Sequence, residues 1–178
     1  MPRFHALACA LLLTLTAASA ANATLTPQEQ RISAAVDAGT GAAITLLGRL
    51  VEQNSGTYNL PGVEAVATIL TPEFEALGFT VEWKPMPHTA RAGHLIATHV
   101  GSGKGKRILL IGHLDTVFEP DSGFDGFRRI GNEGVGPGVG DNKGGVAWMV
   151  LALRAMHAAG TLTDADIVVV LTGDEEDV

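Results

Sequence analysis

Two short apolar runs, Ile108 to Ile111 and Ile167 to Leu171, flank a segment with helical spacing in Val146, Met149, Val150, Leu153 and Met156. Runs without polar alternation suit strands buried on both faces. An apolar period of 3.6 residues suits a helix lying on a sheet. Strand, helix, strand in that order predicts an α/β fold, a three-layer sandwich around a mostly parallel central sheet. The strands are expected at Arg107–Ile111 and Ile167–Leu171 and the helix at Asn142–His157. Upstream, Thr26 to Glu29 has the form of a capping box with Pro27 at the first helical position, predicting a helix to about Asn54 with Gly39 and Gly41 as points of interruption. A second helix is predicted over Pro61–Leu77, kinked at Pro72 and stopped at Gly78, then strands at Phe79–Trp83 and His94–Val100.

Each predicted segment of the core pattern runs into residues that carry chemistry. His113 and Asp115 follow the first run, Asp141 sits in the glycine-rich stretch Gly136 to Gly145, and Asp174 to Asp177 follow the second run. In an open α/β sheet, side chains just beyond the carboxyl ends of neighbouring strands converge on one crevice. One histidine and several carboxylates meeting there suit a divalent metal such as zinc.

His113 and Asp115 are two apart, so on extended backbone they point to one side. One can bind metal while the other orients it; the same pattern also fits a strand-end turn in which Asp115 caps backbone amides. The glycine-rich stretch is no phosphate loop. Asp141 replaces the last glycine of G-x-G-x-x-G, and Lys143 is followed by Gly144 instead of Ser or Thr. Its glycines give Asp141 the backbone freedom to approach a metal, or make a plain tight turn. Asp174 to Asp177 suits a solvated acidic turn. Alternatively its paired glutamates divide labour, one binding metal and the other taking a proton from the attacking water. His88, His94, His99 and His157 have no matching carboxylate pattern, and Trp148 with the Met149 to Met156 stripe reads as helix core.

Charge and the first residues restrict partners and compartment. A formal net charge of -7 with scattered lysines and arginines excludes a nucleic-acid or anionic-lipid surface. Arg3, the apolar stretch Ala6 to Ala18 and the A-x-A sites ending at Ala20 and Ala23 predict a signal peptide over residues 1–23, cleaved after one of those alanines. It is too short for a comfortable membrane span, and no later segment is expected to span either. The chain is therefore expected to be exported, periplasmic or secreted, with no stable membrane anchor. Cys9, the only cysteine, lies in that leader. Disulfides, cysteine-rich zinc sites and a thiol nucleophile are excluded from the mature chain, so any metal must be held by His, Asp and Glu. Residues 24–178 are long enough for one domain with its own core. Because the sequence stops at Val178, directly after the acidic cluster, it is expected to be the N-terminal part of a longer catalytic domain.

Together Gly112 to Val117, Gly136 to Gly145 and Asp174 to Glu176 resemble, in order, spacing and flanks, the three metal motifs of the co-catalytic zinc exopeptidases. That family contains carboxypeptidase G (glutamate carboxypeptidase), aminoacylase, acetylornithine deacetylase and succinyl-diaminopimelate desuccinylase. Gly62 to Ala65 through Ala76 to Val81 is most similar to the glutamate carboxypeptidase branch, and the resemblance runs from about Thr26 to the end. It implies that His113 binds one zinc ion, Asp141 bridges two and Glu176 binds the other. Asp115 would orient His113, and Glu175 would be the general base and later proton donor. It also implies a cis peptide after Asp141 and hydrolysis of an amide bond in a peptide or N-acyl amino acid, releasing a C-terminal residue such as glutamate. The family draws a further carboxylate and a further histidine from beyond Glu176, and an inserted lid domain that allows a homodimer; none of these is in this sequence. With three of five protein ligands, the isolated piece is expected to bind metal poorly and turn over little. An aminoacylase or deacylase with the same metal core is the alternative enzyme. A noncatalytic secreted binding protein is the alternative from another class, against which the retained Glu175 counts.

Overall fold

The computed structural model describes residues 24–103, 105–124 and 126–176; the predicted leader lies outside them, as does Asp177. Helix α1 (Pro27–Glu52) opens as its sequence predicts. The Thr26 hydroxyl accepts the Glu29 amide at 3.3 Å and the Glu29 carboxylate accepts the Thr26 amide at 2.7 Å, closing a capping box. Gly39 and Gly41 do not interrupt it, a correction to the sequence expectation. At Gly39 the missing side chain is used for packing, since a Cβ there would lie 2.6 Å from the Leu151 side chain. Leu46, Leu47, Leu50 and Val51 face the core. α1 is long and apolar enough, by length and composition, to cross a membrane, and its Leu46, Leu47, Leu50 and Val51 are packed into the core of this chain.

Helix α2 (Leu60–Glu75) is capped by Asn59, contains Pro72 near its end, and gives way at Gly78, whose φ of 84° turns the chain into β1 (Thr80–Met86). β2 (Arg91–His99), β3 (Arg107–His113), the short strands β4 (Arg128–Ile130) and β5 (Glu133–Val135), helix α3 (Gly144–Ala158) and β6 (Asp166–Thr172) follow. β4 and β5 form a separate antiparallel ribbon, at residues for which the sequence predicts no element.

The main sheet has the order β1-β2-β6-β3. Only β3 and β6, joined through α3, are parallel; β1 with β2 and β2 with β6 are antiparallel. The expected α/β class holds, and the expected mostly parallel sheet is corrected to a mixed one. The cause is connectivity: β1 and β2 are joined by a short hairpin, which forces antiparallel pairing, whereas a helical crossover permits the parallel pair.

Leu95, Ala97, Ile167, Val169 and Leu171 project to one face and join Leu50, Val63, Val66, Phe74, Val146, Val150 and Leu153 in a single core. On the other face Leu109 pairs with Val168 and Ile111 with Val170. Among the described residues the helices cover only the first face, so the third layer is not formed. β3 is correspondingly not buried on both sides: on that face Leu109 and Ile111 are 56% and 66% exposed, and Ile108, on the helix side of this outer strand, is 47% exposed. An outer strand has one neighbour, and its apolar run stays bare when no layer covers it.

Candidate metal centre

β3 and β6 run side by side and in the same direction, with His113 paired to Thr172, so both deliver their following residues to one end of the sheet. The Leu114 amide continues the ladder, donating to the Thr172 carbonyl at 2.7 Å. The third contributor is the wide turn Val139–Lys143 at the start of α3. Gly138 enters it with a φ of 73°, and a Cβ there would come within 2.6 Å of the Thr116 side chain. Within the turn Asp141 is extended (φ -138°, ψ 103°), and the Asp141–Asn142 peptide is cis.

This arrangement brings the three sequence segments together. His113, Asp141 and Glu176 each offer one nitrogen or oxygen, and these donor atoms lie within 4.8 Å of one another. His113 Nε2 is 2.9 Å from Asp141 Oδ1 and 3.9 Å from Glu175 Oε2. The Glu175 side chain is 60% exposed, turned to solvent beside the cluster. Imidazole nitrogen with two carboxylates is a donor set that fits a divalent cation of the zinc type. A pocket of about 200 Å³ lined by Thr57, Tyr58, Val117, Glu119 and Glu176 adjoins it.

Asp115 does more than the sequence suggested. Fully buried, it lies with Oδ1 3.4 Å from His113 Nδ1, while its backbone carbonyl is 3.1 Å from the same nitrogen. It also accepts the backbone amides of Glu175 at 3.2 Å and Glu176 at 3.1 Å, and the Thr57 hydroxyl at 2.9 Å. Orienting the histidine and capping amides, which the sequence presented as alternatives, are combined in one carboxylate.

Thr57, Ser55 and Lys143 are buried polar residues that sequence reasoning missed. The Ser55 hydroxyl donates to the Leu114 carbonyl at 2.8 Å and the Ser55 carbonyl accepts the Thr116 amide at 2.9 Å. The polar stretch directly after an apolar helix face was the available signal, but its partners lie about sixty residues away. Among the histidines set aside, His94 comes to 3.9 Å from Asp174, and His99 is 2.8 Å from the Ala165 carbonyl and packs on Phe79.

The electrostatics follow from burial and contacts. Burial opposes a charge on His113, but hydrogen bonds to Asp115 and Asp141 and the Asp115 charge outweigh it and raise the imidazole to about 9. Burial would raise Asp115, yet its bonds from His113, the Glu176 amide, Thr57 and the Glu175 amide hold it below the ordinary carboxylate range. Partial burial and the neighbouring Asp141 charge push Glu176 up. Burial alone brings Lys143 down to about 8.

Residues 109–178 match peptidase family M20/M25/M40. Carboxypeptidase G2 of Pseudomonas sp. (strain RS-16) is 31% identical over 176 residues, covering 98% of this chain and 42% of that protein. The chain is related to peptidase family M20/M25/M40. Acetylornithine deacetylase of Proteus mirabilis (strain HI4320) is 38% identical over 117 residues, 64% of this chain and 29% of that protein. The di-peptidase Dug1p of Saccharomyces cerevisiae shares the fold, with a TM-score of 0.71 at 16% identity over 83% of this chain and 35% of that one. The chain thus spans less than half the length of the M20/M25/M40 relatives it matches.

Proposed function

We propose that this chain is the metal-binding part of an exported zinc-dependent exopeptidase, a carboxypeptidase releasing a C-terminal glutamate or similar residue. The observation that carries the reading is the convergence of His113, Asp141 and Glu176 with the solvent-facing Glu175 beside them. The relative named a carboxypeptidase matches nearly the whole chain and supports the branch. His113, Asp141 and Glu176 would hold the metal, with Asp141 shared between two ions, and Asp115 would fix the ring of His113 through Nδ1. Zinc, when bound there, supplies a Lewis acid that polarises a carbonyl and lowers the pKa of the attacking water. Glu175 takes the proton from that water as its oxygen bonds to the amide carbon, and returns it to the nitrogen as the carbon–nitrogen bond breaks.

Three protein ligands leave the centre incomplete in this chain, so metal binding by it alone is weak and turnover low. The bare β3 edge and an adjoining apolar groove of about 440 Å³, lined by Ile108, Leu110, Trp148, Met149 and Met156, provide a face for the rest of a chain of the relatives' length. A peptide or N-acyl amino acid is the proposed substrate, and a homodimer would form through the lid of that longer chain. The second reading, a deacylase acting on N-acyl amino acids, is supported by the higher local identity to the deacetylase.

The test is hydrolysis of acyl-glutamates and other acyl-amino acids by the complete polypeptide with zinc, beside Glu175→Gln. Zinc-dependent release of the C-terminal residue that the variant loses supports the carboxypeptidase. Preference for short acyl groups irrespective of the amino acid would favour the deacylase, and zinc binding without hydrolysis would leave a binding protein.

A further inference from the structure

Lys143 is 1% exposed and takes no part in the reaction proposed above. Its ammonium donates to the carbonyl of Gln53, the residue that ends α1, at 2.8 Å. Carbonyls at a helix C-terminus lack donors of their own and carry the negative end of the helix dipole, so a buried cation suits the position. The stem of the side chain runs close under Gly138, where a Cβ would lie 3.2 Å from its Cδ, and the Lys143 amide donates to the Gly138 carbonyl at 2.9 Å. Lys143 therefore closes the turn that carries Asp141 and fastens it to the end of α1.

The segment it fastens to leads directly to the other side of the centre. Ser55 is bonded to Leu114 and Thr116, and Thr57 to Asp115. One short stretch, Gln53 to Thr57, is thus tied to both the Asp141 turn and the His113 and Asp115 strand end.

We propose that Lys143 is a positioning residue: through the Gln53 carbonyl it holds the Asp141 turn in register with the segment that anchors Asp115, setting the geometry in which Asp141 meets His113. Its consequence for metal rests on the zinc-site reading, but the tether itself can be tested without metal.

A purely space-filling role makes the opposite prediction. Replacing a buried charge by an apolar side chain of similar volume is often neutral or stabilising. Removing a positive charge near a cation site would also tighten cation binding. The experiment compares Lys143→Met with the wild-type chain and with the exposed control Lys84→Met, reading amide hydrogen exchange without metal and then zinc titration. The tether predicts a folded K143M whose amides over residues 139–144 exchange at least about tenfold faster, with β6 unchanged, and whose zinc affinity falls about tenfold. K84M should match wild type.

Unchanged exchange in K143M, with equal or tighter zinc binding, overturns the proposal. If no form of the chain binds zinc, the zinc-site reading for this piece fails separately and exchange alone decides the tether. If K143M does not fold, wild-type native-state exchange decides. The Lys143 and Thr57 amides must then open together with one denaturant dependence, and independent opening overturns the tether.

Discussion

The backbone amide of Glu176 donates to the buried carboxylate of Asp115 at 3.1 Å, across 61 residues of sequence. The Glu175 amide and the Thr57 hydroxyl reach the same carboxylate, and His113 lies against it, so three loops share one anion. The Asp115 carboxylate thus links segments that backbone bonds such as Thr116 amide to Ser55 carbonyl and Leu114 amide to Thr172 carbonyl also join.

Asp115→Asn should expose this dependence. An amide group presents N–H to at least one of the donors now facing the carboxylate, leaving a buried donor unpaired. Denaturant unfolding should show a loss of about 2 to 3 kcal/mol. Zinc affinity should fall about 10- to 100-fold. Thr57→Val, which removes one donor, should cost about 1 kcal/mol by the same measurement.

Metal uptake should depend on pH. Without metal, His113 is protonated up to about pH 9. Zinc must displace that proton. Isothermal titration in buffers of different ionisation enthalpy should show close to one proton released per metal at pH 7 from this residue. Apparent affinity should rise about tenfold per pH unit toward pH 9 and then level off. A pH-independent affinity between pH 7 and 9 would contradict the assignment of His113.

The same shift sets the metal-free stability. A histidine raised from 6.5 to about 9 contributes stability that is complete below pH 6.5 and lost as pH rises through 9. Stability should therefore fall by on the order of 2 kcal/mol between pH 6.5 and 8. Above about pH 8 the buried Lys143, whose charged form is disfavoured, begins to oppose this, because the folded chain then holds fewer protons than the unfolded one. His113→Gln should abolish the fall between pH 6.5 and 8 in urea titrations at fixed temperature.

Glu175→Gln should separate chemistry from structure. Its side chain is largely exposed, and its backbone bond to Asp115 survives the change. Stability should stay within about 0.5 kcal/mol of the parent. In the complete polypeptide kcat should drop about 10²- to 10⁴-fold. A large loss of stability would show that the side chain is part of the framework instead.

The bare face of β3 should make the isolated chain prone to self-association. Ile111→Lys places a charge on that face at a position 66% exposed. Light scattering should show less association at equal concentration, with unfolding stability within about 0.5 kcal/mol of wild type. Unchanged scattering would place the sticky surface elsewhere.

Much of this was legible in the chain because it is local. The capping box at Thr26, the 3.6-residue apolar period of α3 and the β-run of Ile167 to Leu171 follow from residue types at short spacing, whereas His113, Asp115, Asp141, Glu175 and Glu176 stood out as candidates whose roles came from the family resemblance of their motifs. The apolar run of β3 was equally plain, but its burial was not. An unbroken run says that a strand seeks cover on both faces, not that a neighbour is there to supply it.

By itself, then, the sequence determined the α/β class, most element positions and which side chains could bind a cation, since propensity, periodicity and ligand chemistry act within a few residues. Only the tertiary structure decided that two of the three strand pairings in the main sheet are antiparallel, that Asp115 gathers Thr57, Glu175 and Glu176, and that Lys143 reaches Gln53. The Asp115 and Lys143 relations join residues about sixty to ninety positions apart. Their partners are chosen by how the helices and the sheet pack, and no short window of sequence records that choice.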